Sequence, residues 1–263
     1  MSELLVAKNV SMHFGGLKAV DDVDMTINEG DIFGIIGPNG AGKTTFFNIC
    51  SGVYKPTHGE ITFDGHSLVG HKPEEIARLG MARTFQNIRL FKYMSVLDNI
   101  FIGFQTKTKT ELSDAILHTA TYKHDEHLIR EEGLKVLDSL GLLPFKDTKA
   151  GNLSYGMQRR VEIARALALG PKLLLLDEPA AGMNQQEKQE LMHFVIDLNK
   201  KGYTIALIEH DMKFVMNSCN RILVLNFGQK ICEGSPEEVR EDKGVNEAYF
   251  GKGLLVGRKA VAA

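Results

Sequence analysis

Cysteine is scarce in this chain of 263 residues: Cys50, Cys219 and Cys232 are too few and too scattered for a disulfide framework. No CxxC pair or Cys/His spacing suggests a zinc site, so the thiols read as reduced ones in a cytosolic protein. Charge of one sign is also lacking. The net charge is −2, which leaves no global positive field to hold a nucleic-acid backbone. No run approaches the ~18 consecutive apolar residues of a membrane span. Residues 1–16 carry Glu3 and Lys8 inside their apolar stretch and lack the unbroken core of a signal peptide. A role at a membrane therefore calls for a partner that holds the chain from outside the bilayer. There is no internal repeat, no heptad run and no basic stripe.

What is present suffices for a real core: 43% of residues are hydrophobic and 24% charged, which fits one large domain or one domain with an insertion. Residues 4–14 and 19–28 read as an antiparallel strand pair joined at Gly15-Gly16. Residues 31–37 form a short apolar run of the buried parallel type, followed by a Gly-rich loop and a helix over 42–50. Strands recur at 60–63, 172–177, 204–209 and 221–226. Their alternation with helical patterns predicts an α/β fold with a mainly parallel central sheet. The stretch 88–155 differs, with helix formers at 96–105 and 127–140 and little β signal. It reads as a helical insert, within which 105–125 is polar and expected to be partly mobile. The tail 251–263 has little to fix it and is expected to fray.

Three segments carry chemistry. Gly37-Pro38-Asn39-Gly40-Ala41-Gly42-Lys43-Thr44 matches the phosphate-binding pattern G-x-x-x-x-G-K-[ST], with an apolar strand before it and a helix after it. Its glycines let backbone N–H groups curl inward at phosphate oxygens, and the helix N-terminus adds partial positive charge there. Lys43 reaches the β- and γ-phosphates, Thr44 can ligate Mg²⁺, and Thr45 follows at the same lip. The second segment, 172–179, ends four leucines with Asp177-Glu178-Pro179. Carboxylates at the end of such a strand sit where open α/β sheets bind ligands. Asp177 suits Mg²⁺, and Glu178 can act as general base on a water. Alone, such a strand plus acidic loop is as often structural; the phosphate loop changes that balance.

The third segment is Leu153-Ser154-Tyr155-Gly156-Met157. It resembles the signature of ATP-binding cassette (ABC) proteins, Leu-Ser-Gly-Gly-Gln, with Tyr155 and Met157 replacing Gly and Gln. Ser154 and Gly156 can both donate to a γ-phosphate, and the helix read over 159–169 places them near its N-terminus. The resemblance extends along residues 3–251. Gln86 in Arg83-Thr84-Phe85-Gln86 matches the family's Q-loop, and His210 in Leu207-Ile208-Glu209-His210-Asp211 matches its switch histidine. Asn184 stands where the family often has Asp, which implies a purely hydrogen-bonding role. Phe14 and Val20 fall where the family contacts adenine; for Phe14, core packing competes with stacking.

The fuller motifs, including Phe14-Gly15-Gly16-Leu17-Lys18-Ala19-Val20 and Asp177-Glu178-Pro179-Ala180-Ala181-Gly182-Met183-Asn184, are similar to the ATP-binding subunits of high-affinity branched-chain amino-acid importers. Related subunits import urea, short amides and other amino acids.

The resemblance implies a P-loop NTPase (RecA-like) core over 1–87 and 159–250, an N-terminal antiparallel β subdomain within it, an inserted helical subdomain over 88–158, and a tail over 251–263. It implies ATP and Mg²⁺ as cofactors, with Thr44, Gln86 and Asp177 at the metal. Glu178, His210, Gln86 and Lys43 are implied as the catalytic set. The implied partners are a second cassette, identical or paralogous, membrane permease subunits, and indirectly a periplasmic or extracellular substrate-binding protein. The implied location is cytoplasmic, peripheral on the inner face of the cell membrane. Two rival readings exist. A non-transport ABC ATPase is disfavoured by the single P-loop and the lack of a coiled-coil insert. A non-enzymatic nucleotide switch is disfavoured by the intact Lys43, Asp177, Glu178 and His210.

Overall fold

The computed structural model describes residues 2–104 and 120–250. The expectations of mobility for 105–119 and of fraying for 251–263 fall outside the described residues. The remainder of the polar stretch, 120–125, lies within a helix.

Strands β1 (Glu3–Phe14) and β2 (Leu17–Asn28) form the expected antiparallel pair. β4 (His58–Phe63) and the two-residue β5 (His66–Ser67) extend them into a sheet of order β2-β1-β4-β5. The second sheet contains β3 (Ile32–Ile36), β6 (Met81–Arg83), β7 (Leu173–Asp177), β8 (Thr204–Ile208), β9 (Arg221–Asn226) and β10 (Gln229–Gly234), in the order β10-β9-β3-β8-β7-β6. β9, β3, β8, β7 and β6 run parallel, and β10 closes one edge antiparallel to β9. The fold is α/β with a mainly parallel sheet and an antiparallel β subdomain, as read from the sequence.

The leucine run shows why the central strands are apolar throughout. Successive side chains of a strand point to opposite faces. Leu173 and Leu175 pack with Val10, Phe46 and Phe63, between the two sheets. Leu174 and Leu176 pack on the other face with Val161, Leu191 and Val215. Such a strand serves two cores, which leaves polar residues such as Asp177 and Thr204 only at the strand ends. All five residues of β3, of β7 and of β8 are buried.

Helix α1 (Lys43–Cys50) follows β3 and buries Phe46, Phe47, Ile49 and Cys50 in the inter-sheet core. α2 (Pro73–Leu79) leads into β6. Helices α3 (Val96–Phe104), α4 (Ala120–Ser139) and α5 (Tyr155–Leu167) lie between β6 and β7 in sequence. There Gly103 approaches α5 so closely that an added Cβ would stand 2.4 Å from the Arg165 carbonyl oxygen. α6 (Gln185–Lys200) and α7 (Met212–Ser218) pack on the outer face of the large sheet through Leu191, Val195, Phe214 and Val215. α8 (Pro236–Glu241) and α9 (Lys243–Phe250) complete the described chain. Among the described residues no helix is long and apolar enough to cross a membrane.

Candidate functional site

The parallel strands deliver their carboxyl ends to one rim, where the Gly-rich loop, Gln86, Asp177-Glu178 and His210 sit. β3 runs into the Gly-rich loop, and α1 starts at Lys43. Gly37 has φ 153°, and an added Cβ there would lie 2.1 Å from the Leu225 carbonyl oxygen. Gly42, in the left-handed region at φ 96°, meets the Ala19 carbonyl oxygen in the same way at 2.3 Å. Only glycine fits either place. The loop borders a cleft of about 460 Å³ lined by Leu17–Ala19, Asn39–Thr45, Glu178 and Phe227. The N-terminus of α1 has no side-chain cap. Its first N–H groups have no intrahelical partner and open on this cleft, which is what a bound phosphate chain requires.

Lys43 is buried beneath the loop, its Nζ donating to the carbonyl oxygens of Gly37 at 2.7 Å and Pro38 at 2.9 Å. Burial pushes its ammonium below the ordinary lysine value, and the nearby Glu178 carboxylate opposes that shift. Thr44 is exposed and Thr45 half-buried at the lip of the cleft.

At the end of β7, Asp177 and Glu178 separate. Asp177 is buried and accepts from Arg83 at 2.6 Å. Glu178 has φ 44°, a left-handed backbone that a glutamate adopts at a cost of roughly 1–3 kcal/mol. Its N–H donates to the Ile208 carbonyl at 3.0 Å, and its carbonyl receives the Ala181 N–H at 3.1 Å, which pins that conformation. The side chain reaches the cleft. Gln86 Nε2 donates to Glu178 Oε2 at 2.9 Å, and His210 Nδ1 stands 4.0 Å from the same oxygen. Gln86 and His210, from two further loops, therefore converge on one oxygen of Glu178.

The signature lies apart. Ser154 caps α5, its Oγ accepting from the Met157 N–H at 3.4 Å, so the helix begins at Tyr155 and not near 159. Gly156 falls in its first turn, with its N–H directed to Glu187 Oε1 at 3.4 Å. Neither Ser154 nor Gly156 lines the cleft of its own chain. Asn184 caps α6 by accepting the Glu187 N–H at 3.0 Å, the hydrogen-bonding role expected of an amide there. Phe14 is 44% exposed and packs edge-on against Tyr54, with ring centres 5.5 Å apart. Val20 is fully buried in the inter-sheet core, while its neighbours Lys18 and Ala19 line the cleft.

Three residues of the site carried no role in the sequence reading. Arg83 pairs with Asp177. Glu209 is fully buried, takes the Ala180 N–H at 2.7 Å and the His210 N–H at 3.2 Å, and so clasps the two loops bearing Glu178 and His210. Burial raises its carboxyl above the usual range, partly offset by those N–H groups. Phe227, 85% exposed with φ 48°, forms one wall of the cleft. Arg83 and Glu209 each adjoin a recognised motif, which was the available signal.

The donor set suits a magnesium nucleotide. Thr44 offers a hydroxyl and Asp177 and Gln86 offer oxygen atoms, all hard ligands, beside an uncapped helix N-terminus for phosphate.

The chain as a whole is similar to known proteins. The family model described as ABC transporter matches residues 20–181. The high-affinity branched-chain amino acid transport ATP-binding protein LivG of Salmonella typhimurium is 44% identical over 254 residues, spanning 96% of this chain and 100% of that protein. The corresponding protein BraF of Pseudomonas aeruginosa is 40% identical over 250 residues, spanning 95% and 98%. Among solved structures, the ADP conformation of an ATP-binding cassette of an ABC transporter superposes with a TM-score of 0.83 at 34% identity, covering 96% of this chain and 100% of that one.

Proposed function

The chain belongs to the ABC transporter family, and from that premise we propose that it is the ATP-binding and hydrolysing subunit of an importer for branched-chain amino acids. The observation that carries the catalytic part is the convergence of Gln86 and His210 on Glu178 Oε2, at the rim of a cleft floored by an uncapped helix N-terminus. The names of relatives matched along nearly their whole length support the cargo.

In this reading the loop 37–45 cradles the phosphates of ATP with its N–H groups, and Lys43 leaves the Gly37 and Pro38 carbonyls to pair with the β- and γ-oxygens. Thr44, Asp177 and Gln86 hold Mg²⁺, which when bound draws charge from the phosphate oxygens. Glu178 orients a water and accepts its proton as the water attacks. His210 and Gln86 fix the Glu178 carboxylate, and Glu209 holds the two loops at a constant spacing. Phe14 and the cleft-lining Lys18 and Ala19 border the adenine, while Val20 supports that segment from the core instead of touching the base. Ser154 and Gly156, outside their own cleft, serve the nucleotide of a second cassette facing head to tail. Their position at the N-terminus of α5 suits them to an anion brought by that partner. The helical region 88–158 is the insert that meets the permease on the inner face of the cell membrane, and a substrate-binding protein delivers cargo on the far side.

The test uses the chain copurified with its permease and reconstituted in vesicles with the cognate binding protein. Leucine, isoleucine or valine is expected to stimulate hydrolysis and uptake, and Lys43→Ala to abolish both. Stimulation by urea or short amides, with none by branched-chain amino acids, would replace the cargo. Hydrolysis in a complex that moves no solute would remove the transport role.

A further inference from the structure

We propose that Arg83 is a positioning residue for the reaction, setting the distance between the two elements that supply Mg²⁺ donors and leaving Asp177 a single free oxygen to present. The proposal rests on the reading of the site as a magnesium-nucleotide site.

Arg83 is the last residue of β6, which pairs in parallel register with β7. Its guanidinium reaches three acceptors on two other elements. NH2 donates to Asp177 Oδ2 at 2.6 Å, while NH1 donates to Asn48 Oδ1 at 2.8 Å and Ser51 Oγ at 2.7 Å. Asn48 and Ser51, the latter the residue capping the C-terminus of α1, follow Thr44 at helical spacings of four and seven, so the three side chains lie along one face of the helix and its cap. That face carries the Thr44 hydroxyl at its top and is gripped by Arg83 lower down. The same guanidinium holds Asp177 at the end of β7. Thr44 and Asp177, the two protein donors on rigid elements, are thus braced against each other by one planar group.

The brace is stiff. The Arg83 and Asp177 side chains are 9% and 8% exposed. The guanidinium lies 5.4 Å from the centre of the Phe47 ring and 5.5 Å from that of Phe85. With Oδ2 engaged and no hydrogen bond on Oδ1 among the described residues, Asp177 offers the metal side one oxygen in a fixed direction. Arg83 also starts the segment Thr84-Phe85-Gln86, so the Gln86 loop grows directly from the brace. A lysine at this place would keep the charge but not the fork, and a point charge cannot span Asp177, Asn48 and Ser51 together.

A purely structural ion pair would affect folding stability. A positioning residue would affect metal affinity while leaving metal-free nucleotide binding alone. The experiment compares the wild-type chain with Arg83→Lys and Arg83→Met. Binding of a fluorescent ADP analogue is measured in EDTA, and binding of Mn²⁺ to the ADP-saturated protein by electron paramagnetic resonance of free Mn²⁺. Mn²⁺ affinity is expected to fall about 10- to 100-fold in both variants, the range for losing a group that orients a metal ligand. ADP affinity in EDTA is expected to hold within about twofold. In an Asp177→Asn background, Arg83→Lys is expected to add less than about twofold, since the two residues act as one unit.

Unchanged Mn²⁺ affinity in Arg83→Lys, parallel loss of Mn²⁺ and metal-free ADP binding, additive losses in the double variant, or an Arg83→Lys chain that does not fold would each overturn the proposal. Should only Arg83→Met fail to fold, Arg83→Lys, with its cation kept opposite Asp177, decides. Wild-type protein that binds no ADP in EDTA would instead overturn the nucleotide reading itself.

Discussion

The Gln86 side chain donates through Nε2 to Oε2 of Glu178 over 2.9 Å, from a loop that follows β6 to the end of the neighbouring strand β7. The contact joins the residue that begins the exposed segment running to Tyr93 with the carboxylate best placed to orient water. Gln86→Ala removes a hydrogen bond to a charged group, worth about 1.5–3 kcal/mol. If that bond acts mainly in the transition state, kcat falls roughly 10- to 150-fold. Steady-state ATP hydrolysis checks this, with nucleotide binding measured alongside to separate kcat from affinity.

Lys43→Ala removes one of the two ammonium groups among the cleft's described lining residues, the other being Lys18. Loss of its charged hydrogen bonds to phosphate costs about 1.5–3 kcal/mol of nucleotide affinity per bond, and hydrolysis is expected to fall below detection. Equilibrium binding of a fluorescent ATP analogue measures the first effect and phosphate release the second.

Much of this site was legible in the sequence because its parts are local. The spacing from Gly37 to Lys43 and the pair Asp177-Glu178 are contiguous, and their strands are buried on both faces, which produces the apolar runs at β3, β7 and β8. β6 and β5 went unread because three and two residues leave no period to detect. β10 went unread because as an edge strand it mixes Gln229, Lys230 and Glu233 with Ile231 and Cys232 without clean alternation, and none of its six residues is buried. α2 and α8 are short helices each burying one residue, Ile76 and Val239. Arg83 and Glu209 adjoin recognised motifs, but their roles were not legible there for another reason. Their roles arise only when β6 lies beside β7 and β7 beside β8, and that pairing is a long-range property. Phe227 reaches the cleft through a hairpin whose Gly228 accepts the Asp21 N–H at 2.8 Å, again a contact far apart in sequence.

Ser154→Arg is expected to leave nucleotide binding by the isolated chain unchanged while stopping turnover, because Ser154 lies outside its own cleft. Mixing it with Lys43→Ala leaves at most one intact composite site per dimer. The readout is binding affinity of the monomer beside phosphate release from the mixture. Weakened monomer binding would contradict the arrangement across two cassettes.

Phe91 and Tyr93 are 51% and 92% exposed on the segment that runs from Gln86 toward α3. Charged substitutions there are expected to disrupt docking to the permease by about 2 kcal/mol or more, as for aromatic anchors at protein interfaces, while sparing hydrolysis by the free subunit. Co-purification with the permease and solute uptake measure this, and retained uptake would move the docking surface elsewhere.

Glu178→Gln bears most directly on the central claim that this carboxylate drives ATP hydrolysis. The substitution keeps the side-chain shape, removes one negative charge beside the γ-phosphate and removes the proton acceptor. Positioned acid–base groups contribute about 10²–10⁴-fold in rate. The measurement is single-turnover hydrolysis of ATP by the chain assembled with its permease, wild type against Glu178→Gln, with retained nucleotide and subunit association followed in parallel. The predicted result is a variant that binds ATP, stays in the closed pair and hydrolyses at least about 100-fold more slowly. A variant that turns over ATP at the wild-type rate would contradict the account.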